Sequence, residues 1–199
     1  MKTLVSWLAY NNDFERSPEN GALKGVKKNG PNFNMHEHFW NYDRHLLLFS
    51  GKGDKTGAEM LINEIKREYP DHQIDKIEMG IDDPINLSEI KPKVENFLLE
   101  IGKDEIDIFA SPGTPTMQVA WYICHTTLKL NTRIIQARPA EKSKSGKPDL
   151  IVMDVEQSAA PITMVFREKL LQERGMREDY VITKSIKPVY DLAGLLAQN

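Results

Sequence analysis

The sequence lacks several features that would assign it at once to a broad class of protein. Its single cysteine, Cys124, excludes a disulfide framework and favours a reducing compartment, for which we expect the cytoplasm. Its 26 basic and 29 acidic residues give a net charge of -3, so no overall excess of positive charge argues for nucleic-acid or membrane binding. No apolar run approaches the ~20 residues of a membrane-spanning helix, and the N-terminus lacks the cleavage pattern of a signal peptide. Any anion-binding site must therefore be local.

What the chain does contain is a regular alternation of apolar runs and amphipathic segments. Its 199 residues suit one domain that buries about two-thirds of the surface of the unfolded chain. Short apolar runs predict strands, and segments such as 55–69, with apolar residues on one helical face, predict helices between them. The predicted strands are residues 3–10, 45–50, 73–80, 105–110, 132–137 and 149–155. This alternation predicts an α/β fold, a Rossmann-like, doubly wound and mostly parallel sheet.

Two segments depart from this alternation. Residues 15–44 are rich in Gly, Pro and Asn, which predicts a functional insertion or a hairpin that orders on a partner. Residues 137–148 predict a flexible basic loop, because four cations there accompany one acidic residue, Glu141. Those cations are Arg138, Lys142, Lys144 and Lys147. We expect residues 1–160 to form the Rossmann-like domain and residues 161–199 to form a helical extension or a linker.

The turn after the predicted strand 105–110 is a candidate binding site. In doubly wound sheets, ligands bind outside the carboxyl ends of the strands, where helix N-termini collect. Here the hydroxyls of Ser111, Thr114 and Thr116 can hydrogen-bond a ligand, and Gly113 lets it approach the backbone. Thr114 followed by Pro115 is typical of an N-cap and first helical residue, so a plain strand-to-helix turn is the alternative. The density of hydroxyls and the basic loop favour a site for a phosphate or a nucleotide.

Other motifs give weaker indications. Residues 50–57, SGKGDKTG, are not a nucleoside-triphosphate loop, because Asp54 stands where that motif requires glycine. No nucleophile-elbow serine and no HExxH occur, so no catalytic residue is assigned. A two-residue spacing of histidines leaves metal binding open as an alternative, although we predict no metal and no cofactor. The candidate metal ligands are His36, His38, Asp43 and His45.

Taken together, the strand, the turn SPGTPTMQ, the apolar helix with Trp121 and the loop YNNDF resemble CRISPR-associated Rossmann fold (CARF) domains. The resemblance covers residues 1 to about 160. It is closest to the N-terminal sensor domains of RNA-repair regulators, which are bacterial enhancer-binding transcriptional activators. It implies a homodimer with a ligand pocket across the two-fold axis. The implied ligands are cyclic oligoadenylates or RNA ends, and the implied output domain is one such as an AAA+ ATPase, which this chain does not include.

The resemblance also implies which residues form the pocket. They would be Asn11, Asn12, Asp13, Ser50, Gly51, Ser111, Gly113, Thr114, Thr116, Met117 and Gln118. Two features depart from the family pattern. The segment 15–44 is an addition to the compact core, and the turn has no basic residue. Either Lys142, Lys144 or Lys147 substitutes for that residue, or the ligand is less anionic.

Three hypotheses follow. The leading one is a regulatory domain that senses a nucleotide second messenger and controls an output domain, with transcriptional activation as the output. The second is a metal-independent ring nuclease or phosphodiesterase that degrades the bound oligoadenylate. The third is a dimerisation module with a vestigial pocket.

Overall fold

The structure is a computed structural model, and it describes residues 1–153. The strands are β1 (Lys2–Trp7), β2 (Phe14–Arg16), β3 (Leu23–Val26), β4 (Arg44–Phe49), β5 (Ile74–Glu78), β6 (Glu105–Phe109), β7 (Thr132–Arg138) and β8 (Asp149–Met153). The helices are α1 (Pro31–His38), α2 (Lys55–Glu68), α3 (Leu87–Glu100) and α4 (Pro115–Leu128). The helical extension predicted for residues 161–199 lies outside the described residues.

A single six-stranded sheet forms the centre of the domain. Its strand order is β5-β4-β1-β6-β7-β8. The first five of these strands are parallel, and β8 pairs antiparallel to β7. From β1 the chain builds outward to β4 and β5 on one side, and then to β6 and β7 on the other. The predicted doubly wound, mostly parallel Rossmann-like sheet is confirmed.

Helices cover both faces of the sheet, which explains why the central strands β1, β4 and β6 are buried along nearly their whole length. On one face, α3 and α4 bury Trp121 and Val94 against strand residues that include Trp7 and Ile108. On the other face, α2 buries Leu61 against Leu47 of β4. Successive strand residues point to opposite faces, so each strand contributes to both cores.

The segment 15–44, predicted to be an insertion relative to the compact core of the family, packs into the core of this domain. The segment forms the β2–β3 hairpin and α1, and its residues Phe33 and Met35 are fully buried. Helix α1 also buries the polar residues Asn32 and His36. Since its buried side mixes polar and apolar residues, the helix has no apolar stripe from which it could be recognised.

Those two polar residues belong to a hydrogen-bonded chain of side chains that crosses the α1 side of the sheet. We call it the buried polar chain. The Nδ1 atom of His36 lies 3.0 Å from Nδ1 of His72, and its Nε2 atom lies 3.0 Å from Nδ1 of His45. The buried polar chain continues with Ser6, whose Oγ lies 2.8 Å from Nε2 of His45.

The inner half of the buried polar chain ends on a carboxylate. Ser6 Oγ donates a hydrogen bond of 2.6 Å to Oδ1 of Asn32, and Asn32 Nδ2 donates one of 2.7 Å to Oδ2 of Asp13. Apart from His72, every member of the chain is at most 2% exposed. Burial lowers the pKa of His36 to about 2 and that of His45 to about 3, and it raises the pKa of Asp13 to about 6.

These pKa values predict that acidification destabilises the domain. Neutral His36 and His45 contribute stability that is fully present above the unfolded pKa of about 6.5 and is lost as the pH falls below it. Asp13 has the opposite effect, because its pKa is raised in the folded state. Its contribution to the free energy of unfolding increases as the pH falls through about 6. Near pH 5 the unfolded state binds two histidine protons that the folded state does not bind, and the folded state binds one proton on Asp13 that the unfolded state does not. The free energy of unfolding therefore falls by about 1.4 kcal/mol for each pH unit of acidification.

Urea unfolding between pH 7.5 and pH 5 measures this slope. The variant His36→Gln removes one titrating histidine and should flatten the slope, whereas the exposed His38→Gln should leave it unchanged. A wild-type free energy of unfolding that stays constant or rises on acidification would contradict the assignment.

Candidate functional site

The carboxyl edge of the sheet is where the two halves of the fold separate. After β1 the chain turns towards α1 on one face, and after β6 it turns towards α4 on the other face. Because β1 and β6 are neighbours, their following loops diverge and leave a crevice between them. This is the position at which doubly wound sheets bind ligands.

A cleft of about 550 Å³ lies at this edge, between the segments following β1 and the connection from β7 to β8. It is lined by Asn12, Lys27, Asn29, Pro31, Asn34, Phe39, Ser111, Ala137, Arg138, Pro139, Lys142 and Pro148. These residues include three cations, three carboxamides and no carboxylate. The cleft therefore offers hydrogen-bond donors and positive charge to an anion.

Four of the residues predicted from the sequence line this cleft. They are Asn12, Ser111, Arg138 and Lys142. The other predicted residues are not among those that line it: Asn11, Asp13, Ser50, Gly51, Gly113, Thr114, Thr116, Met117, Gln118, Lys144 and Lys147. The cleft thus uses one residue from each of two predicted loops and two residues from the basic segment.

Ser111 joins the turn after β6 to the end of β7. Its Oγ accepts a hydrogen bond of 3.2 Å from the backbone N–H of Ala137, which also lines the cleft. This bond holds Ser111 beside Arg138, the last residue of β7. The turn and the basic segment are therefore one continuous wall.

The threonine hydroxyls of the turn face the loop before α3. Thr114 is the N-cap of α4, as predicted: its Oγ accepts from the N–H of Met117 at 3.2 Å, and it donates to the carbonyl of Pro84 at 2.6 Å. The hydroxyl of Thr116 donates to the carbonyl of Ile85 at 3.3 Å. The hydroxyls that suggested a ligand site therefore hold two loops together.

Two predicted ligand contacts are corrected by burial. Asp13 is 0% exposed, and its oxygens accept from the N–H groups of Ala9 and Asn32 and from the amide of Asn32. Met117 is 4% exposed, and its sulfur accepts from the N–H of Thr114. Neither side chain faces solvent, so each shapes a loop instead of contacting a ligand directly.

Gly113 also has a packing role that differs from the predicted one. Its φ of 95° is in the region that favours glycine, and a Cβ there would lie 3.0 Å from Cδ1 of Trp7. The glycine lets the turn pack on the indole of Trp7, inside the core.

The basic segment is an ordered connection between β7 and β8. Arg138 Nη1 lies 3.5 Å from Oδ2 of Asp149, and Ser143 Oγ donates to the same oxygen at 2.9 Å. Lys142 ends a 3-10 turn, Ala140–Lys142, at the cleft. The expected flexible loop is therefore pinned at its base by the first residue of β8.

Sequence reasoning missed the third wall of the cleft. Lys27, Asn29 and Asn34 come from the predicted insertion 15–44, for which no site residue was named. The run KKNGPNFN does carry a signal, because it combines cations with carboxamides just before a helix. That this run lines the same cleft as Arg138 depends on tertiary structure, which no local pattern contains.

Gly30 lies where the loop after β1, which carries Asn12, meets the segment before α1, which carries Lys27. A Cβ on Gly30 would lie 2.9 Å from the carbonyl oxygen of Lys27 and 3.0 Å from that of Asn12, closer than real Cβ atoms approach. Both neighbours are cleft residues, and both contacts are with backbone. The close approach of the β1 loop and the segment before α1 requires glycine here.

The candidate metal ligands do not converge. His36 and His45 are in contact, but His38 Nε2 lies 3.6 Å from Glu37 on the exposed end of α1, and Asp43 accepts from the N–H of Lys2. His36 directs its two nitrogens at two different imidazoles, so the three rings cannot share one ion. Within residues 1–153, no group of three His, Cys, Asp or Glu side chains is arranged to hold a metal.

Comparison with protein families identifies the chain. The family described as regulator of RNA terminal phosphate cyclase, RtcR, matches residues 27–176, which is most of the sequence. The chain belongs to the RtcR family. The matched region contains every residue that lines the cleft except Asn12. The resemblance to the sensor domains of RNA-repair regulators is thereby confirmed.

Three solved structures are similar to this chain. Csm6 from Enterococcus italicus, bound to cyclic hexa-2'-fluoro-hexa-dAMP, superposes with a TM-score of 0.59 at 18% identity, over 88% of this chain and 46% of that chain. Can2 from Sulfobacillus thermosulfidooxidans, in complex with cyclic tetra-adenylate, has a TM-score of 0.45 at 13% identity, and the match covers 87% of this chain and 47% of that chain. Protein VC1899 from Vibrio cholerae has a TM-score of 0.44 at 11% identity, and the match covers 80% of this chain and 34% of that chain.

The RtcR-family chain spans less than half the length of each of these proteins. At these identities the likeness to Csm6 shows the fold, which is that of CARF domains. No curated protein sequence matches the chain. Among the helices of residues 1–153, none has the length and apolar character needed to cross a membrane.

The close approach at Gly30 generates a prediction. Gly30→Ala should destabilise the domain by about 1–3 kcal/mol, because its neighbours are backbone atoms that cannot rotate away. Gly25→Ala is the matched control, since a Cβ there meets nothing within 4 Å, and it should change stability by less than about 0.5 kcal/mol. Urea unfolding of the two variants measures the difference, and equal stabilities would refute the packing argument.

Proposed function

We propose that this RtcR-family chain is a sensor domain that binds an anionic oligonucleotide in the cleft at the carboxyl edge of its sheet. The proposed ligand is a cyclic oligoadenylate or an oligonucleotide that resembles an RNA end. Its binding controls an output domain, with transcriptional activation as the proposed output. The family, a group of regulators, supports control of an output, and the cleft supports the class of ligand.

The observation that carries the proposal is the charge of the cleft. Among residues 1–153, Lys27, Arg138 and Lys142 line it and no carboxylate does, while Asp149 contacts Arg138 from outside the lining. The whole chain has a net charge of -3, so this concentration of positive charge is local and not a consequence of composition. Its volume of about 550 Å³ is in the range of small-molecule sites.

The remaining lining residues suit the other parts of a nucleotide. The carboxamides of Asn12, Asn29 and Asn34 can donate to and accept from base edges. Phe39 is half-buried and offers an aromatic surface on which a base can stack. Arg138 presents a planar fork of donors, which matches phosphate geometry.

The same residues favour binding over cleavage. General acid-base catalysis needs a side chain that exchanges protons near neutral pH, in most enzymes a histidine or a carboxylate. The lining residues include neither, and the hydroxyl of Ser111 already accepts from Ala137. A ring nuclease would have to act by positioning the ribose alone.

We propose further that the domain forms a homodimer through the outer face of α4. Val119 and Tyr122 on this helix are 46% and 48% exposed, and Ile85, whose carbonyl is held by Thr116, is 71% exposed. Exposed apolar side chains that lie together mark an interaction surface. A second copy of the chain is the proposed occupant, as the resemblance to CARF domains implies.

Titration of the purified chain with oligonucleotides tests the binding site. The panel contains cyclic tetra-adenylate, cyclic hexa-adenylate and linear oligoadenylate ending in a 2′,3′-cyclic phosphate, and each ligand is recovered by chromatography afterwards. Arg138→Ala or Lys142→Ala should weaken binding about 10–100-fold, the effect of losing a hydrogen bond to a charged group. Lys66→Ala, an exposed cation on α2, should leave binding unchanged.

The outcomes separate the three hypotheses. Ligand recovered intact supports the sensor, and cleaved ligand establishes the nuclease. Absence of binding by the whole panel indicates a vestigial pocket. Binding that is equally strong in all three variants would place the site elsewhere.

The mass of the protein in solution tests the homodimer. Tyr122→Glu places a charge on the outer face of α4 and should convert dimers to monomers in light scattering after gel filtration. Leu99→Glu is the control, because Leu99 is 55% exposed on α3 and should not affect the mass. A wild-type monomer at micromolar concentration would refute the proposed dimer.

A further inference from the structure

The hydrogen bonds of the buried polar chain have a single direction, which the amide of Asn32 determines. Both hydrogens of Asn32 Nδ2 are donated, to the carbonyl of Trp7 at 2.9 Å and to Asp13 Oδ2 at 2.7 Å. Its Oδ1 therefore accepts, and Ser6 Oγ supplies the hydrogen at 2.6 Å. Ser6 has no second hydrogen, so Nε2 of His45 must donate to it.

The direction set at Asn32 fixes the tautomer of each histidine. With its hydrogen on Nε2, neutral His45 accepts at Nδ1, so Nε2 of His36 donates to it. His36 in turn accepts at Nδ1, so Nδ1 of His72 carries the hydrogen. His45 and His36 are therefore Nε2–H tautomers, whereas His72 is an Nδ1–H tautomer.

The outer end of the chain is a stack of rings. Trp40 stacks on His36 and on His72, with ring centroids 4.5 Å and 4.1 Å apart, and Tyr69 stacks on the far side of His72 at 5.0 Å. Asp71 is the charged group that acts on His72, whereas the titratable groups that act on His36 are His45 and His72. Among residues 1–153, no carboxylate contacts His36 or His45, so a proton on either ring would have no counter-charge there.

The inner end of the chain holds the walls of the cleft. Asp13 accepts from the N–H groups of Ala9 and Asn32, and its carbonyl accepts from the N–H of Lys27 at 2.8 Å. These bonds fix the loop that carries Asn12 and the start of α1, at Pro31 and Asn32. Lys27 itself lines the cleft.

We infer that His36 and His45 are positioning residues for the cleft, and that acidification releases α1 and with it the wall that contains Lys27 and Asn34. This inference rests on the proposed function for its consequence, which is loss of ligand at low pH. Neutral rings complete the chain in the closed state. Protons bind to these two histidines once α1 has opened, so a low pH favours the open state.

The tautomers are the first test. Long-range proton-nitrogen NMR spectra of the full chain at pH 7.5 should show Nε2–H for His36 and His45 and Nδ1–H for His72. Nδ1–H on His45 or His36 would contradict the direction of the hydrogen bonds assigned to the buried polar chain and would overturn the inference.

Amide hydrogen exchange, corrected for the intrinsic rate, is the second test. Between pH 7.5 and pH 5.5, protection of α1 should fall at least tenfold more than that of α3, about tenfold for each histidine freed. His36→Gln, whose amide can donate and accept at the same places, should lose about tenfold of this effect, and the exposed His38→Gln should retain it. Parallel changes in α1 and α3 overturn the inference, and the wild-type data decide it if His36→Gln does not fold.

Titration with cyclic hexa-adenylate at both pH values connects the two proposals. If the wild-type protein binds more weakly at pH 5.5 than at pH 7.5, and His36→Gln loses less affinity over the same range, the link between α1 and the cleft is supported. The same wild-type affinity at both pH values refutes the link. Failure of the oligonucleotide panel to bind at either pH refutes the proposed function, while the NMR and exchange results still decide the role of the histidines.

Discussion

The carboxylate of Asp13 is the group on which the cleft depends. It is fully buried, and three N–H donors from Ala9 and Asn32 compensate for its removal from water. Each of these donors belongs to a segment that borders the cleft. A buried charge can be satisfied only when every donor is in place, so the loop after β1 and the start of α1 have one arrangement relative to each other.

The cleft combines this rigid wall with the edge of the sheet. Parallel strands bring the ends of β6 and β7 to the same edge as the end of β1. The bond between Ser111 and Ala137 then joins the turn after β6 to the carboxyl end of β7. Cations from segments more than a hundred residues apart, Lys27 and Arg138, consequently line one space without a carboxylate among them. The proposed selectivity for an anion follows from this placement and not from overall charge.

Much of the fold could be predicted from the sequence because its strands are buried on both faces. Strand β6 and the turn into α4 were recognisable from an apolar run followed by Thr114 and Pro115, which act as cap and first helical residue. The helix α1 could not be recognised, because half of its buried side is polar. Its Asn32 and His36 make sense only beside Asp13 and His45, which are distant in sequence.

The candidate site was predicted less completely than the fold, for a related reason. The hydroxyls of Thr114 and Thr116 had the right chemistry for a ligand, yet they are occupied by carbonyls of a loop about thirty residues earlier. A local pattern shows which groups can bind a ligand, but not which of them are already paired. Of the four cations predicted in the basic segment, Arg138 and Lys142 line the cleft, whereas Lys144 and Lys147 do not.

Mapping a bound oligonucleotide on the amide NMR spectrum tests the central claim most directly. Cyclic hexa-adenylate and linear oligoadenylate with a 2′,3′-cyclic phosphate are added in turn to the nitrogen-labelled chain. The account predicts that at least one of them shifts the amides of Asn12, Lys27, Asn34 and Arg138 together. Shifts confined to the turn at residues 114–118, or no shifts at millimolar concentration of either ligand, would contradict it.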